Sequence, residues 1–369
     1  MSERMKIPLV DLKANYLSIK GEIDSAIRGV IDDTAFIMGG YVENFERNFA
    51  NFCGAKHAIG CASGTAALHL ALLAAGIGRN DEVITVPNTF IATAECITYV
   101  GAKIKFVDVT PETLLIDTDK IEPAVTPQTK AIIVVHLYGQ TPDMERIKEI
   151  ADEHDLVLIE DAAQAHAATF KEHQPGYYGN VATFSFFPAK NLGCFGDGGA
   201  VVTNDDDIAE KGRLLVNHGR KTKYEHIVEG FNYRLDALQA AILDAKLPHL
   251  NEWTRLRREH AKFYNDNLPP EVRLPFEASN CKHVYYMYVI RTERRDALMD
   301  HLKERGVSCG IHYPIPLHLQ PAYAYMGHGQ GDFPAAEKAT KGILSIPIYP
   351  EMTREQSQYV IESIKQFFG

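Results

Sequence analysis

The chain has 369 residues, of which 46% are hydrophobic and 23% charged, and its 38 basic and 48 acidic residues give a formal net charge of −10. This length exceeds the size at which a single hydrophobic core stops growing, so the sequence predicts two domains. The acidic balance and the lack of a basic tract argue against nucleic acid or an anionic membrane as the main partner.

The six cysteines are scattered, with no Cys-x-x-Cys pair. This usage is typical of free thiols in a reducing compartment. The first residues lack the apolar core of a secretion signal, and no apolar run approaches the length of a membrane span. We therefore expect a cytoplasmic protein.

Two amphipathic helices are predicted near the start, over residues 17–31 and 42–52. After them, short apolar runs alternate with helical stretches. The runs are mostly continuous, which is typical of strands buried on both faces of a mainly parallel sheet. Seven runs qualify: 57–61, 83–86, 104–107, 131–135, 156–159, 182–187 and 200–203. The pattern predicts a large α/β domain over residues 1–248 with a seven-stranded sheet.

The character of the chain changes after Pro248. A charged helix over 250–267 is followed by an aromatic strand over 284–290, a helix over 296–304, a second strand around 307–312 and a final helix from Thr353. This order indicates a smaller α+β domain over residues 249–369. A cleft is expected between the two domains.

The first candidate site residues follow the first predicted strand. Ser63, Gly64 and Thr65 open an apolar helix, where free N–H groups, hydroxyls and the positive end of the helix dipole form an anion site. An ordinary helix cap uses the same residue types. Phe90 lies just past a later strand end, where it could stack on a planar cofactor or belong to the core.

Two further candidates lie at strand ends. Asp161 closes a buried strand at the edge where open α/β sheets bind ligands. Its carboxylate could pair with a protonated ring nitrogen, or could cap the next helix. Gln164, one helical turn on, would point to the same side. Ser185 alternates outward from aromatic neighbours and could contribute a hydroxyl to a phosphate site.

Lys190 stands between an apolar, aromatic strand and a glycine-rich turn, within residues 181–199. A lysine at the rim of an apolar strand loses hydration, which lowers its pKa. An amine of that kind suits Schiff-base chemistry. The alternative is a lysine on a surface loop.

Together these groups are those that pyridoxal 5′-phosphate requires. Their order resembles the DegT/DnrJ/EryC1/StrS sugar aminotransferases, a branch of the aspartate aminotransferase (type I) fold, nearly end to end. The resemblance is carried by residues 63–65 (Ser-Gly-Thr), 160–164 (Glu-Asp-Ala-Ala-Gln), 185–199, 232–236 (Asn-Tyr-Arg-Leu-Asp) and 312–318 (His-Tyr-Pro-Ile-Pro-Leu-His).

The resemblance implies that Lys190 forms the Schiff base with the cofactor and then moves the proton between cofactor and substrate. Asp161 would keep the pyridine nitrogen protonated. It also implies a homodimer with shared active sites, in which Asn232 crosses to the partner's phosphate site; helix capping is the alternative for Asn232. Other implied cofactor contacts are Ser63, Gly64, Thr65, Phe90, Gln164 and Ser185.

The substrates implied are L-glutamate and a nucleotide-linked keto sugar. Their contacts would come from Asn191, Arg234, His312, Tyr313 and His318. Family members that act at C4 often carry histidine three residues before the lysine, where this chain has Phe187. We therefore expect amination at C3 of a 3-keto hexose linked to UDP or dTDP.

Several alternatives stay open at this point. They are a C4 aminotransferase of the same family, a sugar dehydratase that binds pyridoxal phosphate, and a non-catalytic homologue with a regulatory or structural role. Lys190 counts against the dehydratase, because one such type carries histidine there. No dinucleotide fingerprint follows a strand, and no His/Cys cluster has metal-ligand spacing, so neither nicotinamide nor metal chemistry is predicted.

Overall fold

The computed structural model describes residues 5–369. Its α-helices are α1 (Leu12–Ser18), α2 (Lys20–Asp32), α3 (Gly40–Cys53), α4 (Gly64–Ala74), α5 (Ala92–Tyr99), α6 (Met144–Glu153), α7 (Asp206–Leu215), α8 (Ala237–Lys246), α9 (Leu250–Asn267), α10 (Arg295–Glu304), α11 (Pro334–Gly342) and α12 (Arg354–Phe368). Its strands are β1 (His57–Cys61), β2 (Glu82–Thr85), β3 (Lys103–Phe106), β4 (Thr129–Val135), β5 (Val157–Asp161), β6 (Thr169–Phe170), β7 (Val181–Ser185), β8 (Gly199–Thr203), β9 (Cys281–Lys282), β10 (Tyr288–Arg291) and β11 (Ile343–Ile346).

Seven strands form the central sheet, in the order β1-β8-β7-β5-β4-β2-β3. β8 runs antiparallel to both of its neighbours, and every other pairing in the sheet is parallel. All five residues of β8 and nearly all of β4 are buried, because helices cover the sheet on both faces. The prediction of a mainly parallel seven-stranded sheet is confirmed.

α4 lies deepest among the helices that pack on this sheet. Eight of its eleven residues are buried, and it contacts β7 and β8. A helix that is apolar all round can only be stable inside a core. Its N-terminus is therefore held rigidly beside the ends of those two strands.

The last third of the chain builds a smaller core. β10 and β11 form an antiparallel pair, and side chains from α9, α10 and α12 pack with it, including Tyr264, Leu298 and Ile361. The aromatic strand is shorter than predicted, since only Tyr288–Arg291 pairs regularly. The boundary at residue 248 stays a prediction.

The predicted strand around residues 307–312 is wrong. This segment is extended, but it makes only isolated bridges, from Val307 to Ile7 and from Gly310 to Ser345. Its hydrogen bonds go to two different segments on its two sides, so no ladder forms. The strand that pairs with β10 is β11 instead.

Within residues 5–369, no helix combines the length and the apolar character that a bilayer span requires.

Candidate active site

Three strand ends meet at one edge of the sheet. Gly199 at the start of β8 pairs with Cys61 at the end of β1 and with Ser185 at the end of β7. Asp161, at the end of β5, pairs with Thr183 of β7. The residues that follow β1, β5 and β7 are therefore brought close together, as expected for the ligand-binding edge of such a sheet.

An anion cradle lies at the turn from β1 into α4. Ser63 caps the helix, since its Oγ accepts the Ala66 N–H at 3.1 Å. The amides of Gly64 and Thr65, in the first turn, have no acceptor within the helix. A Cβ added to Gly64 would lie 2.6 Å from the Ser185 Cβ, so the two chain segments touch. The predicted cap is therefore present, and the free amides beside it leave the anion site as a prediction.

The Asp161 carboxylate is buried and well supplied with donors. Its Oδ2 accepts the Thr93 hydroxyl at 2.8 Å, and its Oδ1 accepts the Ala163 N–H at 3.2 Å. Burial raises the pKa of Asp161, while these two donors and the charge of Lys190 act in the opposite direction. The alternative of a helix cap is wrong, because residues 162–168 form turns rather than a helix.

Lys190 is half-buried on the loop between β7 and β8. Its Nζ lies 4.4 Å from the centroid of the Tyr286 ring. Burial lowers the pKa of Lys190 to about 8, and the Asp161 charge partly offsets that effect. About a tenth of the amine is therefore neutral near pH 7, far more than in an ordinary hydrated lysine, and the neutral form is the nucleophile.

A second group of predicted residues faces this pair from the far side. Gln164 accepts the Tyr138 N–H at 2.7 Å and donates to the Tyr313 hydroxyl at 3.2 Å. The Tyr313 ring lies 5.6 Å from Phe90, which is half exposed, at 52%, and so has a free face. The His312 Nδ1 lies within hydrogen-bond distance of the Ser345 hydroxyl, at 2.9 Å. Burial, together with the charge of Lys190, lowers the pKa of the His312 ring. Phe90 is therefore not a core residue.

Two of the predicted substrate contacts, His318 and Asn191, have side chains that are buried away from solvent. His318 has a fully buried side chain whose Nε2 lies 3.1 Å from the Glu337 carboxylate, and its ring packs on Phe333. It supports the fold of the segment after residue 314 and has no exposed atom for a substrate. Asn191 is also buried, and its amide donates to the Val284 carbonyl at 3.3 Å. Both predictions came from the family resemblance, and in this chain the packing gives the two side chains partners inside the protein instead.

Asn232 and Arg234 lie beside the cradle but make no contact with Lys190 or Asp161 of the same chain in the described residues. The Ala62 N–H donates to the Tyr233 carbonyl at 2.7 Å, which places this segment along the end of β1. Asn232 is exposed, and α8 begins only after its cap at Asp236. The helix-capping alternative for Asn232 is therefore wrong.

Three site residues escaped the sequence predictions. Thr93 holds Asp161, Tyr286 packs on Lys190, and His166 is buried between Phe184 and Phe186 with no hydrogen-bond partner on either ring nitrogen in residues 5–369. Burial lowers the pKa of His166 to about 3. Only His166 had a sequence signal, since it follows the informative 160–164 segment by two residues.

The arrangement fits a phosphorylated pyridine aldehyde. The cradle offers backbone and hydroxyl donors for a phosphate, Asp161 offers a carboxylate for a ring nitrogen, and Lys190 offers an amine for the aldehyde. Phe90 offers a free ring face for stacking. These are the groups that hold pyridoxal 5′-phosphate in its enzymes.

Comparisons with known proteins agree with this geometry. A family model described as the DegT/DnrJ/EryC1/StrS aminotransferase family matches residues 17–365. A "Pleiotropic regulatory protein" of Geobacillus stearothermophilus is 50% identical over 368 residues, covering 99% of each chain. A dTDP-3-amino-3,4,6-trideoxy-alpha-D-glucose transaminase of Streptomyces venezuelae is 43% identical over 99% of this chain and 97% of the relative. The crystal structure of S. venezuelae DesV in complex with a ketimine intermediate matches with a TM-score of 0.96 at 43% identity, over 98% of both chains.

Proposed function

The chain belongs to the DegT/DnrJ/EryC1/StrS aminotransferase family, and we propose that it uses pyridoxal 5′-phosphate to move an amino group from L-glutamate to C3 of a nucleotide-linked keto sugar. The observation that carries the proposal is that Lys190 and Asp161 lie at one sheet edge, close enough for the charge of each to act on the other. Burial lowers the pKa of that lysine to about 8, and the charge of Asp161 reaches it.

Each side chain has a task in this reaction. The bound cofactor supplies an aldehyde for amines and a ring that takes up electrons. The Lys190 amine would hold the cofactor's aldehyde and would also be the group that moves a proton between the reacting carbons. The Asp161 carboxylate would keep the ring nitrogen protonated. Thr93 keeps that carboxylate aimed and ionised, because its hydroxyl hydrogen bond favours the charged form.

The cradle would hold the cofactor's phosphate. The amides of Gly64 and Thr65 and the hydroxyls of Ser63 and Ser185 are the donors, and the dipole of α4 adds a partial positive charge. No side chain fits at position 64, because Ser185 occupies that space. Stacking by Phe90 on the ring face would complete the first set of contacts.

The C3 position rests on two observations. Phe187 occupies the position where C4 members often carry histidine, and it is 53% exposed beside Lys190. The S. venezuelae relative is also named as a transaminase of a dTDP-3-amino sugar. We propose a 3-keto hexose linked to dTDP or UDP, bound in part by His312, Tyr313 and Arg234.

We further propose a homodimer in which Asn232 and Arg234 reach the partner's site. Arg234 bonds Asn217, but its buried Nε has no partner in residues 5–369. Exposed apolar side chains lie around this segment, and such patches mark protein contacts: they are Phe36, Ile37, Met38, Ile227 and Val228. Six free cysteines support a cytoplasmic setting.

A regulatory role is the second candidate, because the 50% identical G. stearothermophilus relative carries a regulatory name. Retention of both Lys190 and Asp161 favours catalysis. A protein that only binds the cofactor has no need of an amine with a lowered pKa.

The deciding experiment offers the purified protein L-glutamate and pyridoxal phosphate, then 3-keto and 4-keto hexoses linked to dTDP or UDP. We expect glutamate to convert the cofactor to its amine form and a 3-keto sugar to convert it back. Turnover of 4-keto sugars alone would overturn the C3 assignment. Cofactor bound at Lys190 that glutamate never converts would support the regulatory role.

A further inference from the structure

Lys246, at the end of α8, is a buried lysine behind the Lys190 loop, defined here as residues 186–198. Lys246 is only 3% exposed. Its Nζ donates to the Gly193 carbonyl at 2.7 Å and lies 4.7 Å from the centroid of the Phe195 ring. The same helix contacts the loop a second time, where the Gln239 Oε1 accepts the Phe195 N–H at 2.8 Å.

The Lys190 loop is closed on itself at its base. The Phe186 N–H donates to the Gly198 carbonyl at 2.7 Å, and the Cys194 N–H donates to the Phe186 carbonyl at 2.8 Å. A Cβ on Gly193 would lie 2.3 Å from the Pro188 carbonyl oxygen, so the two sides of the loop are in contact. A displacement of Gly193 would therefore be passed directly to the segment that carries Lys190.

A second buried cation lies behind the other neighbour of Lys190. Arg257 of α9 is 4% exposed, and its Nη1 donates to the carbonyls of Ile348 at 2.8 Å and Tyr285 at 3.3 Å. The residue after Tyr285 is Tyr286, whose ring supports the Lys190 Nζ. Each cation thus binds a backbone carbonyl in a segment that neighbours Lys190: Gly193 for Lys246 and Tyr285 for Arg257.

Stability alone does not account for these two cations. In residues 5–369 neither cation contacts a carboxylate, although the charge of Glu351 acts on both, and the Arg257 Nε has no hydrogen-bond partner. A buried cation that contacts no carboxylate contributes little to stability, and its replacement by an apolar side chain of similar volume is often neutral or stabilising. A charged donor, however, binds a carbonyl more strongly than a neutral one.

We propose that Lys246 and Arg257 are positioning residues for Lys190. Lys246 fixes the Lys190 loop through the Gly193 carbonyl, and Arg257 fixes the Tyr286 ring through the Tyr285 carbonyl. The assignment rests on the proposed function insofar as it concerns amino transfer. Its structural part, the fixing of two backbone segments, does not depend on the substrate.

The test for Lys246 compares K246M with K262M. Lys262 is an exposed lysine of α9 that pairs with Asp266, so K262M removes a lysine without touching the loop. In cofactor-free protein, K246M should speed amide hydrogen exchange several-fold in residues 187–195 and leave other segments unchanged. Its thermal midpoint should stay within about 3 °C of the parent, because the lost hydrogen bond and the lost buried charge offset each other.

Kinetics of the cofactor-loaded enzyme give the second readout. The kcat of K246M should fall by about 10- to 100-fold, while the KM for glutamate changes little, because a reacting group that is displaced slightly lowers the rate more than the binding. K262M should match the parent in both measurements. Unchanged exchange in residues 187–195 would overturn the assignment. So would a K246M protein that fails to fold or exchanges faster throughout, since Lys246 would then support the fold as a whole.

The test for Arg257 compares R257M with R255M. Arg255 is an exposed arginine two residues earlier on α9 that pairs with Glu252, so R255M is the matched control. R257M should speed exchange in residues 284–287 and lower kcat several-fold, while R255M leaves both unchanged. Equal exchange in the two variants would overturn the role of Arg257. If the parent protein transfers no amine, the proposed function fails, but the exchange measurements still decide whether the two cations fix these segments.

Discussion

The two charged groups of the site are held in opposite ways. Asp161 is fixed at its own oxygens, by the Thr93 hydroxyl and the Ala163 N–H. Lys190 has a ring beneath its Nζ and an attractive charge nearby, but no hydrogen bond to that atom is found in residues 5–369. Its backbone is held instead, by the closed loop and by Lys246.

This difference corresponds to the roles proposed for Asp161 and Lys190. A carboxylate that stabilises a ring proton acts best when it does not move, so direct donors suit it. A lysine that binds a cofactor, is released from it and transfers a proton needs an unbonded Nζ on a backbone that does not move. A hydrogen bond to the Nζ would compete with every one of those steps.

The largest loss of activity is expected from removal of the Lys190 amine. K190A should lose covalent attachment of the cofactor and lower amino transfer by roughly four orders of magnitude or more, since nucleophile and proton carrier are lost together. Borohydride reduction followed by mass spectrometry of the peptide measures the attachment. K262A, at an exposed site, is the control; attachment that persists in K190A would identify another lysine as the reactive one.

A smaller loss of activity is expected from neutralising the Asp161 carboxylate. D161N keeps an acceptor for Thr93 but removes the charge that holds the ring proton, so the glutamate half-reaction should slow by about 10²- to 10³-fold. Attachment at Lys190 should persist. Single-turnover conversion of the cofactor measures the effect, and a D161N protein with the parent's rate would show that this carboxylate does not face the ring.

The pH dependence of cofactor attachment tests the lowered pKa of the Lys190 amine directly. Because burial lowers the pKa of Lys190 to about 8, the neutral amine becomes abundant as pH rises through that value. Attachment of the cofactor to cofactor-free protein should speed up roughly 100-fold between about pH 6 and about pH 9 and then level off. A rate that keeps rising beyond about pH 10 would indicate an ordinary, hydrated lysine. Stopped-flow absorbance gives the rates.

The smallest effect is expected from loosening the carboxylate while keeping its charge. T93V removes one donor, which should lower stability by about 1 kcal/mol and activity several-fold. Because the Thr93 bond lowers the pKa of Asp161, its loss raises that pKa further, and the deficit should grow as pH falls. T98V, at an exposed position on the same helix, is the control. Equal pH profiles for the two variants would contradict the role assigned to Thr93.

The sequence predicted the fold best in the central sheet, where whole strands are buried. All seven strands of the sheet lie within two residues of their predicted positions, because uninterrupted apolar runs leave a parallel strand few alternatives. Lys190, Asp161 and the Ser63 turn were predicted as site residues on the same basis, since each lies at or shortly after the end of such a strand. Local signals were sufficient there because the fold itself gathers strand ends at one edge.

Prediction failed where a contact joins distant segments. Thr93 and Asp161, or Lys246 and Gly193, lie far apart in sequence and form no periodic pattern. The segment around residues 307–312 looked like a strand, yet its neighbours on the two sides belong to different parts of the chain. His318 looked like a substrate contact until its carboxylate partner, Glu337, was located. Such pairings are decided by tertiary packing, which composition and spacing do not encode.

The place of β1 in the sheet has a consequence for biosynthesis. β1 has β8 as its single neighbour there, so its pairing with another strand of the sheet forms only after residues 199–203 have emerged from the ribosome. The Ser63 turn at its end is therefore completed after every other strand of the sheet has been translated. A nascent chain that stops short of β8 carries Lys190 but lacks the strand beside the Ser63 turn. Under the proposed function, cofactor capture would therefore be a late event, and it would mark chains whose central sheet has closed.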